Sequence, residues 1–262
     1  MAADPNSGTW VVDLDGVIWL AADPIAGSAA AVERLRAAGI RVLFATNNAA
    51  TTSGALIGRL ASAGIVVDKP DLVSSAQAAA TLLEPGARAF VCGGDGLREA
   101  LGDRGVEVVT EGPAQAVVVG WTRSFDFDLL AASMTMVRSG ARLIGTNDDP
   151  TYPTPAGLIP GAGSILAAVA TASQTEPEVA GKPYAAMASL VRDRAPDTTV
   201  VVGDRPATDG LFASRMGVRF ALVHSGVTPA SHGKLEPQPD LEADNFAAIV
   251  DLVLGPSLPL GS

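Results

Sequence analysis

The sequence predicts an α/β protein whose parallel sheet is flanked by helices. Short apolar runs recur along the chain, and the helix-like stretches between them end at glycines such as Gly39 and Gly64. The polar clusters Asp13-Leu14-Asp15-Gly16, Thr46-Asn47-Asn48 and Gly203-Asp204-Arg205 each follow an apolar run directly. In an open parallel sheet that position is the carboxyl edge, where ligands bind.

Trp10-Val11-Val12 is a short buried strand that stops at an acidic, turn-forming tip. A helix is expected from Ser28 to Ala38, with Ser28 as N-cap and Gly39 as its stop. Ile40 to Ala45 follows as a second strand with Thr46-Asn47-Asn48 at its tip, and a helix from Ser53 to Ala63 stops at Gly64. Further strands are expected at residues 87–91, 116–120, 142–145, 198–203 and 219–223. The helices between and after them are expected at 96–103, 128–139, 164–172, 184–194, 208–216 and 246–254, with a tail from Gly255 onward outside the core.

With 262 residues, 48% of them hydrophobic and 18% charged, the chain can bury one large or two modest cores, which excludes a disordered protein. A formal charge of -10 argues against broad attraction to nucleic acid or to an anionic membrane, so any phosphate site must be local. No run of about 18 apolar residues occurs and the first residues lack a basic, apolar leader, so the expected compartment is the cytoplasm. Cys92 has no disulfide partner, and with His224 and His232 as the only histidines the sequence presents no zinc set. Any metal is therefore expected to be held by oxygen. Cys92 itself, after Ala89-Phe90-Val91, reads as a small buried apolar residue, and Trp10, Trp19 and Trp121 read as packing.

Carboxylates gathered at the strand tips would raise one another's pKa unless a cation shared them, which implies a divalent ion; an all-oxygen set with solvent access suits Mg²⁺. Lys182, in Gly181-Lys182-Pro183, adds an ammonium at the start of a helix, where an anion is favoured. Phosphoryl transfer needs such neutralisation, because its catalysis is mainly positioning and electrostatic stabilisation. Taken singly, the motifs are ordinary turn and capping patterns. Their order along one chain is what carries the reading.

Asp13-Leu14-Asp15-Gly16-Val17, Thr46-Asn47-Asn48, Gly181-Lys182-Pro183 and Gly203-Asp204-Arg205 with Thr208-Asp209 resemble the four ordered motifs of the haloacid dehalogenase superfamily phosphatases. The variants found here are similar to its NagD-like, C2-capped branch. That resemblance implies a Rossmann-like core, Asp13 as the nucleophile that becomes an aspartyl phosphate, and Asp15 as the acid for the leaving group and then the base for water. It also implies phosphoryl contacts from Thr46, Asn47, Asn48 and Lys182. Mg²⁺ would be held by Asp13, the Asp15 carbonyl and Asp204, with Asp209 supporting its waters. The family often has an acidic residue where this chain has Ala207 and an aliphatic one at Gly210.

Between Thr46 and Lys182 lie 135 residues, far more than one crossover, and the resemblance implies an inserted α/β C2 cap at 82–180 between core segments 1–81 and 181–262. Within it, Asn147 to Pro153 resembles the specificity loop, with Tyr152 reaching the substrate. The branch implies a small phosphate ester as partner and, in many members, a homodimer through the cap. Glycerol 3-phosphate or 2-phosphoglycolate is the preferred substrate; nucleotide monophosphates and pyridoxal phosphate are alternatives, as is a non-catalytic phosphometabolite-binding protein. The paired Asp13 and Asp15 speak against a pure binder, which has no need of a nucleophile together with a proton donor.

Overall fold

The computed structural model describes residues 4–21, 23–154 and 157–256, so the expected tail beyond Pro256 lies outside the described residues. The chain divides into two compact units. One comprises the chain up to Ala45, Arg59–Leu72 and the chain from Val191 on; the other comprises Thr46–Gly58 and Val73–Leu190.

In the first unit the sheet order is Leu241–Ala243, Arg219–Val223, Thr198–Gly203, Thr9–Val12, Arg41–Thr46 and Leu72–Ser74, and the division between units cuts the ends of the last two strands. Thr9–Val12 lies in the middle, parallel to Thr198–Gly203 on one side and to Arg41–Thr46 on the other, with Val12 opposite Val202 and Phe44. Its residues are buried without alternation, as a strand covered on both faces requires, so Trp10, Val11 and Val12 read as one apolar run. The strand tips therefore carry the polar residues that the interior excludes.

The second unit has its own parallel sheet, in the order Glu178–Val179, Arg142–Gly145, Ala116–Val119, Arg88–Cys92 and Glu107–Val109. Phe90, Cys92, Val117, Val119 and Leu143 of this sheet form one cluster with Val137 of the helix Phe127–Arg138 and with Leu166 and Val169 of the helix Ala162–Ser173. Burial there pushes the Cys92 thiol up to about 11, which keeps it protonated and makes it the packing residue expected from sequence. An antiparallel hairpin, Thr151–Thr154 with Gly157–Pro160, completes the unit.

One expected cap is not formed. Ser28 lies inside the helix Ser28–Ala37, whose N-cap is Gly27. The Ser28 hydroxyl instead donates to the Val17 carbonyl at 3.1 Å, because the helix start is buried and that carbonyl needs a partner.

Candidate active site

In the first unit, Asp13 stands directly after Thr9–Val12, and its backbone N–H donates to the Val202 carbonyl at 2.9 Å, so the sheet ladder itself fixes its position. The chain then folds back on itself: the Leu14 carbonyl accepts from the amides of Val17, Ile18 and Trp19, and Gly16 donates to the Trp19 carbonyl at 2.7 Å. Gly16 has φ of +83°, and a Cβ there would lie 2.5 Å from Asp204 Oδ2. Glycine is required on both counts, the backbone conformation and the close approach to a carboxylate. Asp15 accepts a 3.0 Å hydrogen bond from the indole of the buried Trp19, over which the Arg59 guanidinium stacks at 3.9 Å.

Asp204 follows Thr198–Gly203 and is 3% exposed. Its Oδ2 accepts from the Val227 amide at 2.6 Å, its carbonyl accepts from the Thr228 hydroxyl at 2.6 Å, and Ser225 ties the same loop to the Gly16 carbonyl at 2.7 Å. Asp209, on the wide helical turn Pro206–Gly210, is 1% exposed and accepts from the Arg205 amide at 3.2 Å. Gly203 makes room for it, since a Cβ there would meet Asp209 Cγ at 2.1 Å.

Asp13, Asp204 and Asp209 thus each offer a carboxylate oxygen, and these atoms all lie within 4.8 Å of one another. Three like charges this close are costly unless a cation lies between them, and oxygen donors alone suit a hard divalent ion. The residues fit Mg²⁺ in both charge and donor type.

The second unit holds the other motif residues. Thr46 is 1% exposed, and its hydroxyl accepts from the Asn48 amide at 3.0 Å. Asn47 is a hub: its Oδ1 accepts from the Lys182 amide at 2.8 Å, and its Nδ2 donates to the Lys182 carbonyl and to Asp149 Oδ2, both at 3.1 Å. Its carbonyl accepts from Ser75 Oγ at 2.7 Å and from Asn147 Nδ2 at 2.8 Å. Lys182 is 2% exposed. Asn48 serves its own loop, accepting through Oδ1 from the amides of Ala50 and Thr51 at 3.0 and 3.1 Å. Asn147, Asp149 and Ser75 escaped the sequence reading as partners of this hub. Their signal was only composition, short polar residues after apolar stretches.

Removing the Asn47 side chain deletes three hydrogen bonds, two of them to the Lys182 backbone. Asn47→Ala is therefore expected to cost about 2–4 kcal/mol of stability, the net worth of roughly three hydrogen bonds, read as a lower denaturant midpoint at unchanged slope. A loss below about 1 kcal/mol would show that water replaces these bonds freely.

Tyr152 sits on the hairpin opposite Ile159, half-buried, with its ring 5.9 Å from that of Trp121. Trp121 in turn donates to the Pro160 carbonyl at 3.0 Å and carries the Arg123 guanidinium 5.5 Å above its ring. Trp121 is thus half-exposed and packs beside the expected specificity residue.

No helix among the described residues is long and apolar enough to cross a membrane. Residues 10–107 match the family model described as haloacid dehalogenase-like hydrolase, and residues 179–249 match one described as HAD-hydrolase-like. A D-glycerol 3-phosphate phosphatase of Mycobacterium tuberculosis is 35% identical over 84% of this chain, an alignment that spans 64% of that relative's length. A 5'-nucleotidase of Bacillus subtilis is 32% identical over 85% of this chain and 89% of its own. The crystal structure of the glycerol phosphate phosphatase from Mycobacterium tuberculosis in complex with magnesium superposes with a TM-score of 0.86 at 31% identity, covering 93% of this chain and 76% of that one. Two matched models, this level of identity and the shared fold make the chain a member of the haloacid dehalogenase-like hydrolases, within their NagD-like phosphatases.

Proposed function

We propose that the protein is a Mg²⁺-dependent hydrolase of small phosphate monoesters, most fitted to glycerol 3-phosphate or 2-phosphoglycolate in the cytoplasm. The observation that carries the reading is the meeting of the Asp13, Asp204 and Asp209 carboxylates within 4.8 Å. When bound, Mg²⁺ neutralises these carboxylates and the phosphate dianion, so that one anion can approach another.

Asp13 attacks phosphorus, forming an O–P bond as the ester O–P bond breaks, and Asp15 gives its proton to the departing alkoxide. Asp15 then takes a proton from water, whose oxygen attacks the aspartyl phosphate and releases Asp13 and inorganic phosphate. The bond from the Trp19 indole to Asp15 Oδ1 orients the carboxyl group for this shuttle. Thr46, the Asn47 backbone and Lys182 bind phosphoryl oxygens, and the Asn47 side chain positions Lys182. Asn48 contributes by holding the loop that presents these groups. Asp209 acts beside the ion, on its waters or directly.

Residues 82–180 act as the cap, and a homodimer through that segment follows the branch's habit. In this reading the Tyr152 ring touches the organic part of the substrate. Tyr152→Ala is then expected to reorder a panel of esters by about tenfold in relative kcat/KM, about 1.4 kcal/mol of lost selective contact, while p-nitrophenyl phosphate turnover changes less. An unchanged ranking removes Tyr152 from specificity.

A second substrate class is favoured by one observation. The half-exposed Trp121 and Tyr152 rings offer faces on which a nucleobase can stack, and the Bacillus subtilis relative is a 5'-nucleotidase. One assay separates the readings: phosphate release from three-carbon phosphates, nucleoside monophosphates and pyridoxal phosphate, with Mg²⁺ or with EDTA. Metal-dependent release supports the hydrolase, and the best substrate decides its class. Binding without turnover sinks the enzymatic reading.

A further inference from the structure

Away from the carboxylate cluster, a second group of ligating side chains assembles in the first unit. His224 directly follows the strand Arg219–Val223, and Glu242 lies in the neighbouring parallel strand Leu241–Ala243, where it pairs with Leu222. The His224 amide extends that ladder by donating to the Ala243 carbonyl at 3.1 Å. The connection between the strands returns His232 to the same point. His224 Nε2 lies 2.9 Å and His232 Nε2 2.7 Å from Glu242 Oε1, and the three ligand atoms are all within 4.8 Å of one another.

The other ring nitrogens fix the chemistry. His224 Nδ1 lies 3.2 Å from the Thr228 carbonyl and His232 Nδ1 2.7 Å from the Gly233 carbonyl. A carbonyl can only accept, so each Nδ1 carries a hydrogen, and in a neutral ring the Nε2 is then a bare lone pair. Two lone pairs would face one carboxylate oxygen at hydrogen-bond distance, acceptor against acceptor. Only positive charge at the point of convergence resolves this. Two protons would do so by making two imidazolium rings, with centroids 5.5 Å apart, share a single carboxylate. One divalent ion does so with both rings neutral, once the ligand atoms spread by roughly half an ångström to surround it. A ring that donates through one nitrogen to a backbone carbonyl and offers the other to the centre is also the arrangement of metal-bound histidine.

We infer that His224, His232 and Glu242 form a second metal site, distinct from the carboxylate cluster, that takes a borderline transition-metal ion such as Zn²⁺. Two imidazoles and one carboxylate are a zinc set that leaves a fourth position to water, whereas Mg²⁺ prefers oxygen alone. The side chains are 8%, 20% and 39% exposed, so an ion can reach the site from solvent. Two ligands stand on paired strands and the third at the far end of a loop, so the ion closes residues 224–232 into a ring. That loop includes Val227 and Thr228, the partners of Asp204. Metal at the histidines therefore braces the seat of a carboxylate in the other cluster.

The test uses the full chain, freed of metal by a chelator and dialysed against Zn²⁺ in a large excess of Mg²⁺ that fills the oxygen site. One Zn²⁺ per chain is expected to remain, with an X-ray absorption shell containing two imidazole nitrogens at roughly 2.0–2.1 Å. His232→Ala and the shape-preserving Glu242→Gln should each weaken Zn²⁺ binding by at least about tenfold and remove the rise in unfolding temperature that Zn²⁺ gives the wild type. Failure of the wild type to retain Zn²⁺, or a shell of oxygen alone, overturns the inference whatever the variants do. Unchanged affinity in a folded His232→Ala overturns it equally. None of these readouts depends on phosphatase turnover.

Discussion

Asp13→Asn is expected to lower kcat for phosphate release by on the order of 10⁴-fold or more, the scale seen when a covalent nucleophile is removed. Asparagine keeps the size of the side chain and leaves the backbone bond to Val202 intact, so the fold should survive, with far-UV dichroism unchanged. What disappears is the anionic oxygen that bonds to phosphorus. Substrate binding should be kept or even improved, because a negative charge facing the phosphate is gone. Single-turnover experiments with the wild type should trap radiolabelled phosphate on the protein, and the variant should trap none. A variant that retains more than a few per cent of activity would assign the attack to another residue.

The second large effect concerns Asp204, and its sign differs between the metal-free and the metal-loaded protein. Asp204→Asn removes one of three mutually repelling carboxylates, while the amide oxygen can still accept from Val227. Without metal, the variant should therefore unfold at the same temperature as the wild type or above it. With Mg²⁺ the order should reverse. At a free concentration one hundred times its dissociation constant, an ion adds about 2.7 kcal/mol to the wild type, and a variant binding roughly 100-fold more weakly gains only a few tenths. Thermal unfolding with and without Mg²⁺ measures both. Equal Mg²⁺-induced shifts in the two proteins would place the ion elsewhere, and the mechanism built on the cluster would fall with it.

The sequence disclosed most where local chemistry and global position coincide. The strands Arg142–Gly145, Thr198–Gly203 and Arg219–Val223 fall at their expected residues, because a strand covered on both faces is a continuous apolar run. The strands Leu241–Ala243, Glu107–Val109 and Glu178–Val179 lie at sheet edges, are two or three residues long and contain glutamate, so no apolar run announces them. The hairpin strand Thr151–Thr154 is interrupted by Pro153, a residue that argues against a strand unless it lies at an edge.

The site divides the same way. Asp13, Asp204 and Asp209 were legible because each belongs to a short ordered motif, and the fold brings all three together. The partners of Asn47 come from positions 75, 147, 149 and 182, and nothing local links them. His224, His232 and Glu242 escaped for a related reason. Histidine and cysteine are the residues that announce a zinc set in a sequence, while the third ligand here is a glutamate delivered by an edge strand that no apolar run marks.

Thr9–Val12 gains its Arg41–Thr46 neighbour about 30 residues after its own synthesis, whereas its other neighbour, Thr198–Gly203, leaves the ribosome some 150 residues later. Until then a nascent chain exposes an apolar strand with one row of backbone donors and acceptors open, the template on which strands of other molecules add. Messages truncated before Thr198 should thus give aggregating products, and pausing of translation in that interval should call for chaperone protection of the strand Thr9–Val12.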